Sequence, residues 1–144
     1  MINVKMMEFR DIVDVKNQER PAGHLTPIEG NIDVPFDIKR IYYLTGVPEN
    51  TIRGYHAHKE LQQVLICMNG RVSISVSTPY EKEVITLDQP TRGLYIGPMV
   101  WREMYEFSPG SVLTVLASDY YNEDDYIRDY SDYCQMAEKY FKKE

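Results

Sequence analysis

Alternation of apolar and polar positions dominates the middle of the chain and gives way to a spacing of three and four residues at its C-terminal end. Val72-Ser73-Ile74-Ser75-Val76 alternates residue by residue, as a half-buried strand does. The apolar run Val64-Leu65-Ile66-Cys67-Met68 precedes it, and the turn pair Asn69-Gly70 between the two predicts a hairpin. Ile38 to Thr45 reads as a further strand, with Ile38, Arg40, Tyr42 and Leu44 on one face and Lys39, Ile41, Tyr43 and Thr45 on the other. Weaker signals predict edge strands around Lys5 to Phe9 and over Gly23 to Gly30, the second restricted by Pro27. After Pro79 come Val84 to Leu87, Leu94 to Ile96, Val100 to Met104 beyond the Gly97-Pro98 turn, and Val112 to Ser118. Short strands at this even spacing predict an antiparallel sandwich or barrel. From Glu123 the period changes: Tyr126, Tyr130, Tyr133, Ala137 and Tyr140 recur at three and four residues, which predicts one amphipathic helix with a tyrosine stripe for packing.

At 144 residues and 43% hydrophobic content, the chain suffices for one core, so a single domain over residues 1–144 is expected. The net charge of -6 counts against a nucleic-acid surface and still allows a local basic pocket for a small anion. No apolar run reaches the length of a membrane span, and no basic-then-apolar leader opens the sequence. A cytoplasmic protein without membrane or nucleic-acid partners is therefore expected. Cys67 and Cys134 read as buried thiols, with no chemistry assigned.

Candidate chemistry concentrates in Arg53-Gly54-Tyr55-His56-Ala57-His58, which holds two of the three histidines. On a strand His56 and His58 share a face, while Tyr55 and Ala57 point the other way. The Pro48-Glu49-Asn50 turn returns this segment toward Ile38–Thr45, so a tyrosine of that strand is expected beside an imidazole. The isolated His24 is read as structural or solvent-facing. On spacing alone, the histidine pair fits a catalytic site and a satisfied polar pair about equally.

The spacing His56-x-His58, Gln63, Gly70 resembles the first motif of the cupins, a double-stranded jelly roll. That motif carries a glutamate where Gln63 stands, and a second motif carries a histidine where Arg102 stands. A neutral amide is a poor ligand for a transition metal and a guanidinium cannot be one, so the site is read as metal-free. A tighter resemblance rests on five pieces in register: Pro35 to Tyr43, Arg53 to Lys59, Gly93 to Pro98, Trp101 to Met104 and Val115 to Tyr121. Together they are similar to the dTDP-4-oxo-6-deoxyglucose 3,4-ketoisomerases. The resemblance implies an all-β cupin-type jelly roll with a C-terminal helix, a homodimer exchanging N-terminal strands, a dTDP-linked 4-keto-6-deoxyhexose as substrate, and no metal or cofactor.

Shifting a ketone from C4 to C3 requires removal of the C3 proton, passage through an enediol and reprotonation at C4. Histidine suits such transfers near neutral pH. His56, His58 and Tyr42 are thus the expected catalytic residues. Arg53, Gln63 and Arg102 are the expected substrate-binding residues, the two arginines supplying fixed charge for a pyrophosphate or an enediolate. Family members that give the gluco product resemble this chain in carrying arginine at the place of Arg102, whereas galacto-forming members carry histidine there. Ala22 matches neither group, which have tyrosine and arginine at its place. The expected product is dTDP-3-oxo-6-deoxy-D-glucose. A galacto-product ketoisomerase, a metal-dependent cupin oxygenase or epimerase, and a non-catalytic sugar-binding cupin are the alternatives.

Overall fold

A computed structural model describes residues 1–13 and 23–142. Its strands are β1 (Val4–Glu8), β2 (Arg40–Thr45), β3 (Arg53–His58), β4 (Gln63–Asn69), β5 (Val72–Ser77), β6 (Lys82–Leu87), β7 (Arg92–Ile96), β8 (Trp101–Tyr105), β9 (Val112–Ala117) and the two-residue β10 (Tyr126–Ile127). A helix, α1 (Tyr130–Phe141), follows. The strands form two five-stranded sheets in the orders β1-β7-β4-β9-β2 and β10-β3-β8-β5-β6, with antiparallel neighbours throughout. The all-β jelly roll with a C-terminal helix is therefore present.

The alternating residues of β5 divide as the pattern demands. Val72, Ile74 and Val76 lie in the core between the sheets, while Ser73 and Ser75 point away from it, and the Ser73 hydroxyl donates to Glu106. β4 instead is buried on both faces, which explains its unbroken apolar run. Leu65 and Cys67 enter the main core, whereas Val64 and Ile66 join Phe9, Val34, Phe36 and Leu116 in a second cluster on the outer face.

Three expectations need correction. Asn69-Gly70 does not close a hairpin: β4 pairs with β7 and β9, β5 pairs with β6 and β8, and the chain crosses between sheets at this corner. Gly70 adopts φ +79°, and the corner is fixed by Asn69 Nδ2 donating to Gly110 O and by Arg71 N donating to Ser108 Oγ. Turn residues specify a reversal, and here the partners on either side decide which sheet each arm joins. The stretch Gly23 to Gly30 forms no strand, only the isolated bridges Leu25 with Ile12 and Gly30 with Val34. Ile28 within it, and Val34 and Phe36 beyond it, cover the outer face of the first sheet, held by Arg10 clasping the Asp33 carboxylate at 2.9 and 2.6 Å.

The C-terminal helix begins at Tyr130, not Glu123. Glu123–Asp125 is a single 3-10 turn, and Tyr126–Ile127 pairs with β3. Asp129 caps α1 by accepting from Asp132 N, which sets the true start. The buried stripe is Tyr133, Ala137 and Phe141, while Tyr130 and Tyr140 are half exposed. Tyr133 is fully buried, and its hydroxyl lies 2.9 Å from Met99 O and 3.0 Å from Ser77 O, tying the helix to the second sheet. Replacement Tyr133→Phe is expected to lower the urea midpoint with an unchanged slope, by about 1–3 kcal/mol for the unpaired carbonyls it leaves. An unchanged midpoint would show that the hydroxyl carries no share of the docking.

Candidate active site

The histidine segment is placed by a bulge. Gly54 (φ +99°) and Tyr55 (φ +59°) both occupy the left-handed region, and the register with β8 shifts between Gly54 and His56. A Cβ on Gly54 would stand 2.9 Å from Arg102 O, so only glycine permits this approach of β3 to β8. Tyr55 is turned outward, half exposed. Ala57 is buried in the same cluster as Tyr133 and Ala137 of the helix. His56 and His58 share the other face, with ring centroids 4.9 Å apart and planes at 85°.

A line of polar side chains crosses the sandwich from one sheet to the other. Arg102 of β8 sits opposite His56 in the ladder and is 1% exposed. Its Nη1 donates to Gln63 Oε1 at 2.5 Å, and Gln63 Nε2 donates to the Tyr42 hydroxyl at 2.9 Å. The remaining guanidinium contacts are Nε and Nη2 to Val100 O, at 3.3 and 3.2 Å. Among the described residues no carboxylate forms an ion pair with it. Burial lowers the Arg102 pKa to about 10, which still leaves the group charged at neutral pH.

That charge and the dry surroundings fix both imidazoles. Burial first, and Arg102 second, lower the His56 pKa to about 3 and push His58 further down. Both are neutral: His56 Nδ1–H donates to Gly54 O at 3.1 Å, and His58 Nδ1 lies 3.0 Å from Asp125 Oδ2. His56 therefore presents Nε2 as a bare acceptor. Burial also raises the Tyr42 pKa, so its hydroxyl keeps its proton.

Tyr42, Arg53, His56, Gln63 and Arg102 line one cavity of about 470 Å³ between the sheets. Five of the six expected site residues thus meet. His58 does not line it; only 1% exposed, it stands beside His56 and borders a neighbouring cavity of about 350 Å³. Among the cavity residues that were not expected, Tyr126, Arg40 and Arg128 bear directly on the site. Tyr126 packs its ring against both histidines, at 5.0 and 4.4 Å. Arg40 lies 5.1 Å from the Tyr42 ring and has a buried Nε without a partner. Arg128 stacks 4.2 Å over Tyr126 and pairs with Glu123. Reading Tyr126 as helical hid the first of these, and the Asp129-x-x-Asp132 cap was the signal that could have exposed it. With Arg53, the added arginines give an acidic protein a locally basic pocket, as a diphosphate requires. Among the described residues no group of three or more histidine, cysteine or acidic side chains is disposed to hold a metal.

Known proteins are similar to this chain in sequence and fold. A family model described as "WxcM-like, C-terminal" matches residues 2–138. The TDP-4-oxo-6-deoxy-alpha-D-glucose-3,4-oxoisomerase of Aneurinibacillus thermoaerophilus is 45% identical over 135 residues, covering 94% of this chain and 93% of the relative. A histidine-to-asparagine variant of the QdtA 3,4-ketoisomerase from Thermoanaerobacterium thermosaccharolyticum, solved with TDP-4-keto-6-deoxyglucose, superposes with a TM-score of 0.92 at 55% identity over 99% of both chains. The WlaRB TDP-quinovose 3,4-ketoisomerase from Campylobacter jejuni gives 0.85 at 44% identity, over 94% of this chain and 99% of the other. Sequence and architecture agree from one end of the described chain to the other, and the chain belongs to the WxcM-like, C-terminal (FdtA) family.

Proposed function

We propose that this protein is a nucleotide-sugar 3,4-ketoisomerase that converts dTDP-4-oxo-6-deoxy-D-glucose to dTDP-3-oxo-6-deoxy-D-glucose. The observation that carries the reading is a neutral His56 whose free Nε2 shares a cavity with a protonated Tyr42 hydroxyl and a buried guanidinium. His56 takes the proton from C3, and the electron pair moves into an enediolate whose oxygens face Arg102 and Tyr42. The C3 hydroxyl gives up its proton as C3 becomes the ketone, the former C4 ketone oxygen ends as a hydroxyl, and C4 receives a proton. The step is redox-neutral within the sugar and draws on no cofactor. Arg53, Arg40 and Arg128 provide the charge for the diphosphate.

Support for the gluco product comes from Arg102 and from the likeness to an enzyme named for TDP-quinovose, a 6-deoxyglucose. A protonated guanidinium orients a sugar but donates protons poorly, so the face of C4 protonation is left to His56 and its neighbours. We further propose a cytoplasmic homodimer with exchanged N-terminal strands. In the single chain β1 pairs with its own β7, the contact that an exchanged strand would make in trans. Light scattering should give twice the chain mass, and a monomer at micromolar concentration would contradict the assembly. Two free thiols suit a reducing compartment, and no described helix is long and apolar enough to cross a membrane.

NMR of the reaction mixture tests the main reading. The wild-type product should carry an equatorial C4 hydroxyl, and His56→Asn should reduce turnover by roughly 10²-fold or more while the fold is kept, because the base is lost. His58→Asn should be damaging to a smaller degree. Full activity of the His56 variant would end its assigned role, and an axial hydroxyl would overturn the product assignment.

The pH dependence follows from the depressed imidazoles. The active base is neutral, so acid removes activity by protonating it; with a pKa of about 3 in place of 6.5, that loss is displaced far below neutrality. Stability behaves differently. Unfolding returns both histidines to about 6.5, so below that pH the unfolded chain binds protons that the folded one refuses, and stability falls as pH drops from about 6.5 toward 3. A level kcat/KM between about pH 5.5 and 7.5 is expected, while the urea midpoint declines as the pH is lowered from about 6.5 to 5.5. A single inflection in kcat/KM near 6.5 would contradict the buried, neutral assignment.

A further inference from the structure

We infer that Asp125 is a positioning residue of this site: its carboxylate holds His58 in the Nδ1–H tautomer, so that His58 Nε2 is kept bare as a proton relay beside His56. Asp125 lies in the 3-10 turn before β10 and does not line the larger cavity. Its carboxylate is fixed by main-chain donors on the loop after His58. Oδ1 accepts from Glu60 N at 2.8 Å, and Oδ2 accepts from Leu61 N at 3.3 Å and from His58 Nδ1 at 3.0 Å. Its own carbonyl accepts from Lys59 N at 2.9 Å, and the adjacent Tyr126 sits opposite His58 in the ladder. Turn and histidine are thus locked together by backbone.

The tautomer follows from these partners. With the proton on Nε2, His58 would aim the Nδ1 lone pair at a carboxylate oxygen 3.0 Å away, and the Nε2–H would have no acceptor, since that atom is buried without a partner. With the proton on Nδ1, the ion–dipole contact is favourable and the unpaired group is a lone pair. That lone pair is the one polar atom of His58 left without a bond, on a ring 4.9 Å from His56 and 4.4 Å from Tyr126. A proton accepted at Nε2 would make His58 an imidazolium facing the Asp125 carboxylate, and release from the same atom would restore the starting state. The relay leaves no net charge behind and needs no other reactant.

The relay rests on the ketoisomerase reading; the tautomer does not, and the experiment separates them. The chain has three histidines, so long-range 15N–1H correlation spectra of histidine-labelled protein resolve each ring. The wild-type protein should show His58 protonated at Nδ1 and bare at Nε2; the opposite pattern would overturn the inference, and this measurement needs no variant. In Asp125→Asn the amide must give one oxygen position to NH₂. The short contact from Glu60 N retains the oxygen, which turns NH₂ toward His58 Nδ1. The spectrum should therefore switch to the Nε2–H tautomer, with kcat reduced roughly 10- to 100-fold and KM within about twofold. A folded Asp125→Asn protein with the wild-type kcat would overturn the relay. Wild-type protein that turns over no 4-keto nucleotide sugar would remove the isomerase reading and the relay with it, while the spectrum would still decide the tautomer.

Discussion

A guanidinium buried between two sheets and hydrogen-bonded to neutral oxygens alone is the constraint on which the rest of this structure turns. Removing an ion from water is costly, and the usual compensation is a carboxylate in contact. Arg102 instead receives an amide oxygen and a main-chain carbonyl. Its charge is consequently not cancelled locally and acts on whatever shares the dry space. The two histidines, already held neutral by burial, are pushed further from protonation by it. An anion formed transiently on a ligand would meet the opposite response. The same field that disfavours a positive imidazole in the resting site favours a negative oxygen, and no rearrangement is needed when that oxygen appears.

This arrangement explains why Gln63, and not a glutamate, follows the histidines. A carboxylate at that position would pair with Arg102 and quench its field. The amide instead conducts the contact onward, accepting from the guanidinium and donating to Tyr42. Groups from β8, β4 and β2 are thereby linked across both sheets, and the positions of Tyr42 and Arg102 become interdependent.

The strands and much of the site were readable from the chain because their causes are local. Period-two alternation gave β5 and β2, and the i, i+2 rule put His56 and His58 on one face. What escaped depends on contacts distant in sequence. Nothing within Asn69-Gly70 states that β4 and β5 join different sheets, since that choice belongs to β9 and β8. Tyr126 fell into a spurious helical period because its spacing from Tyr130 matches one turn, although its partner is His58, on β3. Asp125 was invisible for the same reason. Arg40 was placed on the correct face of β2 but gained its position beside Tyr42 and Tyr121 only when the chain folded back.

The crossing at Asn69-Gly70 lies at the opposite end of β4 from the polar line. β4 begins at Gln63, within the polar line, and ends near Cys67, opposite Leu113 of β9. Around that far end Val72, Phe107 and Leu113 are buried at 0–1% exposure, and the turn through Ser108 and Ser111 is hydrogen-bonded to the Asn69–Arg71 corner. One pole of the sandwich is therefore dry and self-sufficient, while the other concentrates desolvated polar groups whose burial opposes folding. The dry pole underwrites the wet one. Connections at the two poles accordingly serve different ends: the turn over 106–111 clamps the Asn69-Gly70 crossing and touches no reacting group, whereas the loops over 58–62 and 118–125 hold the histidine environment in place.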